Sequence, residues 1–311
     1  MRKLGMLAIA ATIAAAPFTA AIAQDTTFAL VPKMTAHPFF ELTRDGCMEA
    51  AERLGVTCDY RGPLNYDEAE QVLVVRDLIN KGVDGLAISP SNAQMMKKVI
   101  NEAVAAGIPT ITYDADSPDS ARALFVGTDN VLLGYETGKL ISQMRPEGGT
   151  IALITGGLAA DNLNQRLDGI REGIGEGWTI VDGSPFATDD DAAVGNQVIT
   201  DLLLKYPDLN AIAVAGGWPM FAPEAFKKAV GPALDRMANG EFVFVAGDSL
   251  DMQLELVKGG YANGVVGQRP IEMGSMSMEI LLGMVNGESF SDPQYTGVDI
   301  ITADNVDDFL N

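Results

Sequence analysis

The sequence is poor in the residues from which metal sites and histidine-dependent catalytic groups are built. Its 311 residues include a single histidine, His37, and two cysteines, Cys47 and Cys58. A structural zinc site normally takes four Cys or His ligands, and a Ser-His-Asp triad would have to use His37 in a chain without a Gly-x-Ser-x-Gly segment. The sequence therefore predicts no metal ion and offers only a poor candidate for a serine hydrolase.

Positive charge is also scarce. There are 21 Lys and Arg residues against 42 Asp and Glu residues, which gives a formal net charge of −21. Such a chain repels phosphate backbones, so a nucleic-acid partner is not expected. The chain has no Gly-x-x-x-x-Gly-Lys-Ser/Thr phosphate loop, and its strand ends lack the Gly-x-Gly-x-x-Gly pattern of dinucleotide sites. We expect no cofactor.

Long uncharged hydrophobic runs are missing outside the first residues. Arg2 and Lys3 are followed by the apolar stretch 4–16, and a small-x-small sequence at 21–23 precedes Gln24. The apolar stretch is shorter than the roughly 20 residues that span a bilayer. This pattern predicts a secretory signal peptide over residues 1–23, cleaved after Ala23, and an exported soluble protein. No Cys follows the cleavage site, so a lipid anchor is not indicated.

Export would place Cys47 and Cys58 in an oxidising compartment. A helix over 38–54 that ends at Gly55, followed by a strand through Thr57, would bring the two sulfurs to a similar height. Closing so short a loop would add about 3 kcal/mol of stability. We predict a disulfide between these residues, with two buried free thiols as the alternative.

The 47% of hydrophobic residues form short continuous runs that alternate with helix-like segments. Continuous apolar runs are typical of parallel strands covered on both faces. Glycines such as Gly82 and Gly107 stand where helices should end. The pattern indicates an α/β chain with repeated βαβ units. The predicted strands are 27–31, 85–88, 110–113, 150–154, 211–215, 242–246 and 264–266.

The number of predicted strands, about ten or more, exceeds what one doubly wound domain of ordinary size holds. We therefore predict two lobes, with a break around Gly127-Thr128-Asp129-Asn130, after a short strand over 124–126 and before a helix from Val131. Periodicity does not reveal whether the chain later returns to the first lobe.

Carboxylates follow two of the predicted strands directly. Asp114 and Asp248 would each be costly in a dry cleft unless their oxygens received hydrogen bonds, which ligand hydroxyls can donate. Their alternative role is to cap a following helix. Arg166, on a helix beginning near Asp161, could fork onto two adjacent hydroxyls, or pair at the surface with Asp168 or Glu172.

Three aromatic residues also follow predicted strands. Phe39, Phe40 and Trp218 could stack on the apolar faces of a sugar ring, although aromatic residues are often part of the hydrophobic core.

Hydrolysis by a carboxylate pair such as Asp114 and Asp248 is not favoured by the fold pattern. The run at 189–191 is interpreted as a solvated, acidic helix start, with calcium binding as a minor alternative.

Taken together, these segments resemble the bacterial periplasmic sugar-binding proteins of the ribose, galactose and allose type, which deliver sugars to ABC importers. The resemblance covers nearly the whole chain in the right order. The segments that carry it are His37-Pro38-Phe39-Phe40, Thr112-Tyr113-Asp114, Gly127-Thr128-Asp129-Asn130, Gln165-Arg166-Leu167-Asp168-Gly169-Ile170, Gly247-Asp248 and Gly267-Gln268.

The resemblance implies two doubly wound parallel-sheet lobes joined by a multi-crossover hinge. The first lobe would comprise residues 24–128 and 269–295, and the second lobe residues 129–268 and 296–311. It further implies a monomer in the periplasm that binds a monosaccharide or polyol and meets an inner-membrane permease, with a chemoreceptor as a further candidate partner. The implied ligand-binding residues are His37, Phe39, Phe40, Asp114, Arg166, Trp218, Asp248 and Gln268.

The chain departs from the ribose pattern in its pocket. His37 stands where Asn is usual, Ala115 and Asp116 stand where Arg follows the first Asp, and Gly217-Trp218 replaces a common Asn-Asp pair. These changes leave other pentoses, hexoses, deoxysugars and polyols open. A receptor for a rhamnose-like or autoinducer-2-like ligand, or a secreted carbohydrate-active enzyme, is the alternative function.

Overall fold

The computed structural model describes residues 26 to 310, so the predicted signal peptide and its cleavage site lie outside the described residues. Within that range, strands and helices alternate along most of the chain. The strands are β1 (Thr27–Val31), β2 (Thr57–Tyr60), β3 (Gly85–Ile88), β4 (Thr110–Tyr113), β5 (Phe125–Gly127), β6 (Gly149–Thr155), β7 (Trp178–Ile180), β8 (Phe186–Ala187), β9 (Ala211–Val214), β10 (Val243–Gly247), β11 (Gly264–Gly267), β12 (Gln294–Tyr295) and β13 (Asp299–Thr302).

The helices follow the strands as the βαβ pattern predicts. Each of the seven predicted strands is present, with ends shifted by at most one residue. The α-helices are α1 (Pro38–Leu54), α2 (Glu68–Lys81), α3 (Ala93–Ala105), α4 (Asn130–Met144), α5 (Asp161–Ile174), α6 (Ala192–Lys205), α7 (Pro223–Val230), α8 (Leu234–Ala238), α9 (Asp251–Lys258) and α10 (Pro270–Val285). A short 3-10 helix spans Trp218–Phe221.

The strands form two separate sheets. The first has the order β12-β5-β4-β3-β1-β2 and is parallel throughout. The second has the order β13-β11-β10-β9-β6-β7, with β8 beside β6, and is parallel except for the edge strand β13. The structure confirms the predicted α/β class with two doubly wound sheets.

The strand order sets where a ligand can bind. In both sheets the order reverses beside the first strand of the lobe, at β1 and at β6. Ligands of open α/β sheets bind outside the carboxyl ends of the strands at such a switch point. The residues that follow β1, β3, β4, β6, β9, β10 and β11 are therefore the candidates for a site.

Both faces of the first sheet are buried, which explains its continuous apolar strands. Phe28 and Leu30 of β1 pack in a core with α1 and α10, whereas Ala29 and Val31 pack in another core with α2 and α3. Alternate residues of a strand point to opposite faces, so both sets must be apolar here.

The first helix and second strand are joined covalently. Helix α1 ends at Gly55, whose φ of 71° is left-handed and suits glycine, and β2 follows directly. Cys47 of α1 and Cys58 of β2 form a disulfide, and both side chains are buried. The predicted disulfide is confirmed.

The chain crosses between the two sheets more than once. It passes from β5 into α4, from β11 into α10, and from β12 into β13. Helix α10 packs on α1 and the first sheet, and α4 packs on α5 and β10. These contacts support our proposal that residues 24–128 and 269–295 form one lobe and residues 129–268 and 296–311 form the other.

Within residues 26–310, no helix is both long enough and apolar enough to cross a membrane.

Candidate functional site

Two aspartates occupy equivalent positions in the two lobes. Asp114 follows β4 and Asp248 follows β10, and both are buried, with 3% and 5% of their surface exposed. Their φ angles of 58° and 68° lie in the left-handed region, which Asp tolerates better than most residues. This conformation turns the chain sharply at the carboxyl end of each sheet.

Asp248 belongs to a hydrogen-bonded chain of buried side chains in the second lobe. Its Oδ1 accepts from Nε2 of Gln268 at 2.6 Å, and its Oδ2 accepts from the backbone N–H of Gly217 at 2.9 Å. The amide oxygen of Gln268 accepts from Nη2 of Arg166 at 2.6 Å and from the Thr128 hydroxyl at 2.9 Å. Burial is the largest influence on Asp248 and raises the pKa of its carboxyl, while Arg166 and Gln268 oppose the rise.

Arg166 lies inside the protein and not at its surface. It is 2% exposed, and its guanidinium also donates to Oδ1 of Asn130 at 2.9 Å and to the carbonyl of Ala215 at 3.0 Å. The alternative of a surface ion pair with Asp168 or Glu172 is wrong, because the guanidinium is buried and bonds to internal acceptors, while Asp168 pairs with Arg171. Three of the five guanidinium N–H groups are used by these contacts and by Gln268, which leaves two for a ligand.

Asp114 connects the first lobe to the second through a buried lysine. Its Oδ2 accepts from the Ser89 hydroxyl at 2.7 Å and lies 3.8 Å from Nζ of Lys33. The same Nζ donates to Oδ1 of Asn162 on α5 at 3.3 Å. Lys33 follows β1, so this contact ties the carboxyl ends of the two sheets together.

Aromatic rings form a second connection between the lobes. The His37 ring lies 5.5 Å from the ring of Phe40 and 5.2 Å from the ring of Phe221, and Phe39 packs edge-on against Phe40. Phe221 belongs to the second lobe and touches the cores of both. Trp218 is buried and covers the backbone of Gly156 and Gly216, where an added Cβ would lie within 2.9 Å of its ring.

His37 has unused hydrogen-bonding capacity. It is 7% exposed, and neither ring nitrogen has a hydrogen-bond partner among the residues that the structure describes. Burial, assisted by the charge of Lys33, lowers the pKa of His37 to about 4. The ring is therefore neutral at pH 7 and has one donor and one acceptor to offer.

The acidic run before α6 divides into two kinds of residue. Asp191 caps the helix, because its Oδ1 accepts from the backbone N–H groups of Ala193 and Val194. Asp190 does not behave as a solvated helix start, since its Oδ1 is buried against Gly156 and has no partner within the described residues. Burial raises the pKa of Asp190 to about 6.

Sequence reasoning missed several residues that meet the predicted site. These residues lie in short segments after strands or near the start of helices, where polar and apolar residues are mixed. Lys33 and Ser89 could have been found from their position after β1 and β3. Phe221 and Asp190 carry no such signal. The missed residues are Lys33, Ser89, Asn130, Asn162, Asp190 and Phe221.

The arrangement is suited to binding and offers little for metal chemistry. Among the described residues, no group of three or more His, Cys, Asp or Glu side chains is placed to hold a metal ion. The site instead gathers carboxylates, a guanidinium, an ammonium group and amides at the facing ends of two sheets. Such groups can donate to and accept from a ligand with many hydroxyls.

A family model described as "Periplasmic binding protein domain" matches residues 28–289 of the chain. Among curated proteins, the chain is 26% identical to the ribose import binding protein of Salmonella typhimurium, over 93% of this chain and 94% of that protein. It is 24% identical to the D-ribose/D-allose-binding protein of Pseudomonas aeruginosa, over 88% of each chain.

Solved structures give a similar result. An ABC transporter solute-binding protein from Burkholderia graminis, in complex with D-arabinose, is 32% identical with a TM-score of 0.84, covering 93% of this chain and 99% of that one. An arabinose-binding protein from Geobacillus stearothermophilus is 26% identical with a TM-score of 0.72, covering 92% of this chain and 100% of that one.

Proposed function

Because this chain belongs to the periplasmic binding protein domain family, we propose that it binds one monosaccharide or related polyol between its lobes and delivers it to an ABC importer. Relatives that match most of the chain include a ribose import binding protein and an ABC transporter solute-binding protein in complex with D-arabinose. Pentoses are accordingly the first ligands to test on this chain, ahead of rhamnose-like or autoinducer-2-like compounds.

The observation that carries the proposal is the meeting of strand-end polar groups from both lobes. Lys33 of the first lobe contacts Asn162 of the second, while Arg166, Gln268 and Asp248 form one buried chain. Folding alone does not require so many buried polar groups at one place, because burying polar groups costs free energy and burying apolar groups does not. A polyhydroxylated ligand would form hydrogen bonds with these groups.

Each predicted site residue has a role in this proposal. Asp114 and Asp248 accept from sugar hydroxyls, and Arg166 and Gln268 hold Asp248 in place and offer their remaining N–H groups. His37 adds one donor and one acceptor. The rings of Phe39, Phe40 and Trp218 cover the apolar faces of the sugar.

Closure of the lobes would supply the contacts that binding requires. The lysine bridge to Asn162 and the ring pair of His37 with Phe221 exist only when the sheet ends face each other closely. A monosaccharide of about 12 non-hydrogen atoms, at about 0.7 kcal/mol each, would bind with a micromolar or smaller dissociation constant. The ligand then shifts an open-closed equilibrium toward the closed form that a permease recognises.

The cellular setting follows from the same proposal. Binding proteins of this type work with ABC permeases, and the curated relatives are periplasmic or import proteins. We propose that this chain acts as a monomer in the periplasm after cleavage behind Ala23, and that a chemoreceptor is a second candidate partner. We propose further that it binds its sugar without changing it and does not act as an enzyme.

A thermal-shift screen over about 50 sugars and polyols tests the proposal. A ligand present at about 100 times its dissociation constant stabilises the folded state by about 2.7 kcal/mol. For a chain of this size that corresponds to a rise in melting temperature of roughly 4 to 5 °C. We expect a few related monosaccharides to produce this rise, and a screen in which none does so contradicts the proposal.

Mass spectrometry separates binding from catalysis. The sugar that stabilises the protein is incubated with it, and the mass of the sugar is compared before and after. We expect no change. A changed mass would favour the secreted carbohydrate-active enzyme.

A further inference from the structure

Asp190 is placed at the boundary between the lobes although it belongs to an acidic run. Its carboxylate lies against Gly156 at the end of β6, next to the ring of Trp218, because a Cβ built on Gly156 would collide with both. From the first lobe, the Tyr66 hydroxyl lies against the neighbouring Gly157. The residue therefore faces the space between the sheet ends and not the solvent around α6.

Capping does not explain Asp190. The cap of α6 is Asp191, which accepts hydrogen bonds from two backbone N–H groups, and Asp190 precedes it with a left-handed φ of 59°. Its Oδ1 is buried without a partner among the described residues. The backbone N–H of Gly157 contributes a hydrogen bond to the carboxyl of Asp190, whereas Oδ1 remains able to accept from a donor outside the chain.

A second unmatched group lies in the same region. His37 is more than nine-tenths buried, and both of its ring nitrogens lack partners within the described residues. The charge of Lys33 lowers the pKa of both His37 and Asp190. Each of the two sheets thus contributes one buried side chain with an unmatched polar atom to the region that Lys33 influences.

The charges that face Asp190 do not balance. Asp114 and Asp248 act on it as like charges, while Lys33 and Arg166 act as opposite charges. His37 is neutral at pH 7, and burial raises the pKa of Tyr66 well above its ordinary value of 10, so Tyr66 is neutral as well. Three carboxylates against two cations leave one negative charge in excess.

Resting on the proposed function, we propose that Asp190 is a further ligand-binding residue, which accepts a hydroxyl or amino donor of the sugar and makes the site select neutral and amino sugars over sugar acids. A donor on the ligand satisfies Oδ1. A carboxylate on the ligand would instead meet the excess negative charge in a region where water screens little.

The variant Asp190→Asn tests this with a matched control, Asp189→Asn. Asp189 is the exposed neighbour with a similar left-handed φ of 49°, a conformation that Asn also tolerates. Titration calorimetry at pH 7 would use D-ribose, D-arabinose, D-xylose and D-galactose as neutral probes, D-galactosamine as the amino probe, and D-galacturonate as the acid.

We expect Asp190→Asn to weaken binding of the best neutral sugar at least tenfold and to lower its preference over the acid at least tenfold. Asp189→Asn should match the wild type. Equal affinities and equal preference in wild type and Asp190→Asn would overturn the inference and leave the proposed function standing. If no neutral sugar or polyol binds the wild type, the proposed function itself fails, and this inference fails with it.

A measurement on the wild type covers the case in which Asp190→Asn does not fold. A sugar hydroxyl that donates to Asp190 favours its ionised form, so binding at pH 6 should release up to about half a proton. Calorimetry in two buffers of different ionisation enthalpy measures this release. No release from wild type, or the same release from a folded Asp190→Asn, contradicts the inference.

Discussion

At the scale of single residues, the site depends on side chains whose hydrogen bonds are only partly met by the protein. Asp114 and Asp248 occupy left-handed conformations at matching strand ends, and each accepts from one or two protein donors. His37 has no donor or acceptor partner among the described residues. These residues place polar groups with unmet hydrogen bonds at the ends of the sheets, which lowers the stability of the unliganded protein.

His37 provides a prediction on pH and stability. Its folded pKa of about 4 lies below the ordinary 6.5, so its contribution to stability is complete above pH 6.5 and is lost as the pH falls toward 4. Between pH 7 and 4.5 this loss amounts to about 2 kcal/mol. The variant His37→Asn should not lose stability in this pH range, because it has no imidazole to protonate. It should also raise the unfolding free energy by about 1 kcal/mol, because Asn can cap α1, whose start has no side-chain cap.

Urea unfolding of the unliganded wild type and His37→Asn, at pH values from 4.5 to 8, measures this effect. The difference in unfolding free energy between the two should widen as the pH falls. A difference that stays constant with pH would show that His37 titrates normally in the folded protein.

Arg166 provides a prediction on affinity and stability together. Arg166→Ala removes the guanidinium that donates hydrogen bonds to Asn130, Ala215 and Gln268. It therefore disturbs Gln268, which donates to the carboxylate of Asp248. We expect affinity for the sugar to fall at least tenfold. We also expect the unliganded protein to lose about 2 to 4 kcal/mol, because buried acceptors are left unmatched.

Arg171→Ala is the matched control on the same helix, since Arg171 pairs only at the surface with Asp168. It should change neither quantity measurably. Unaltered sugar binding by Arg166→Ala in calorimetry would remove Arg166 from the site.

At the scale of elements, the position of Arg166 depends on how closely α4 and α5 approach. An added Cβ at Gly134 of α4 would overlap the backbone carbonyl of Arg166 on α5, and one at Gly169 of α5 would overlap the carbonyl of Val131 on α4. The glycines let the two backbones meet, which brings Asn130, at the start of α4, to the guanidinium.

Gly134→Ala should therefore push α5 away from α4. We expect a loss of about 1 to 3 kcal/mol in unfolding free energy, because the obstructing atoms are backbone and cannot move aside cheaply. Sugar affinity should fall as well, since Arg166 moves with its helix.

Gly231→Ala is the control, because an added Cβ there meets nothing within 4 Å. Urea unfolding and calorimetry of both variants measure the two effects. A Gly134→Ala protein with wild-type stability and affinity would show that the close helix contact does not position Arg166.

The elements themselves were largely predictable from sequence, and the reason is the burial of both sheet faces. Continuous apolar runs identify strands such as β1 and β3, and glycine stops identify helix ends such as Gly55. The antiparallel strand β13 was not predicted, because it is a four-residue edge strand with only two apolar residues and no continuous buried run. The contacts of Lys33 with Asn162 and of His37 with Phe221 were not predicted either, because they join residues far apart in sequence.

The candidate site divides in the same way. Asp114, Asp248 and Gln268 stand directly after strands and could be proposed from position alone. Asp190 could not be proposed from sequence, because it is one of three consecutive aspartates and its neighbour Asp191 is an ordinary helix cap. Which aspartate turns inward depends on the backbone conformation of a short loop.

At the scale of the whole molecule, the candidate site depends on two sheets whose carboxyl ends face each other. Their strand-end residues meet in the chain from Arg166 through Gln268 to Asp248, and across the lobes through Lys33. The chain passes between the two sheets at three short connections. Our proposal requires these connections to bend while each sheet keeps its shape, so that the two sheets enclose a small polar ligand.

A crystal structure of the protein with the sugar that stabilises it most tests whether the ligand binds between the two sheets. We predict one sugar molecule between the sheet ends, with hydroxyl groups within about 3.2 Å of the carboxylates of both Asp114 and Asp248. A sugar bound to one lobe alone, or at a surface away from these two aspartates, would contradict it.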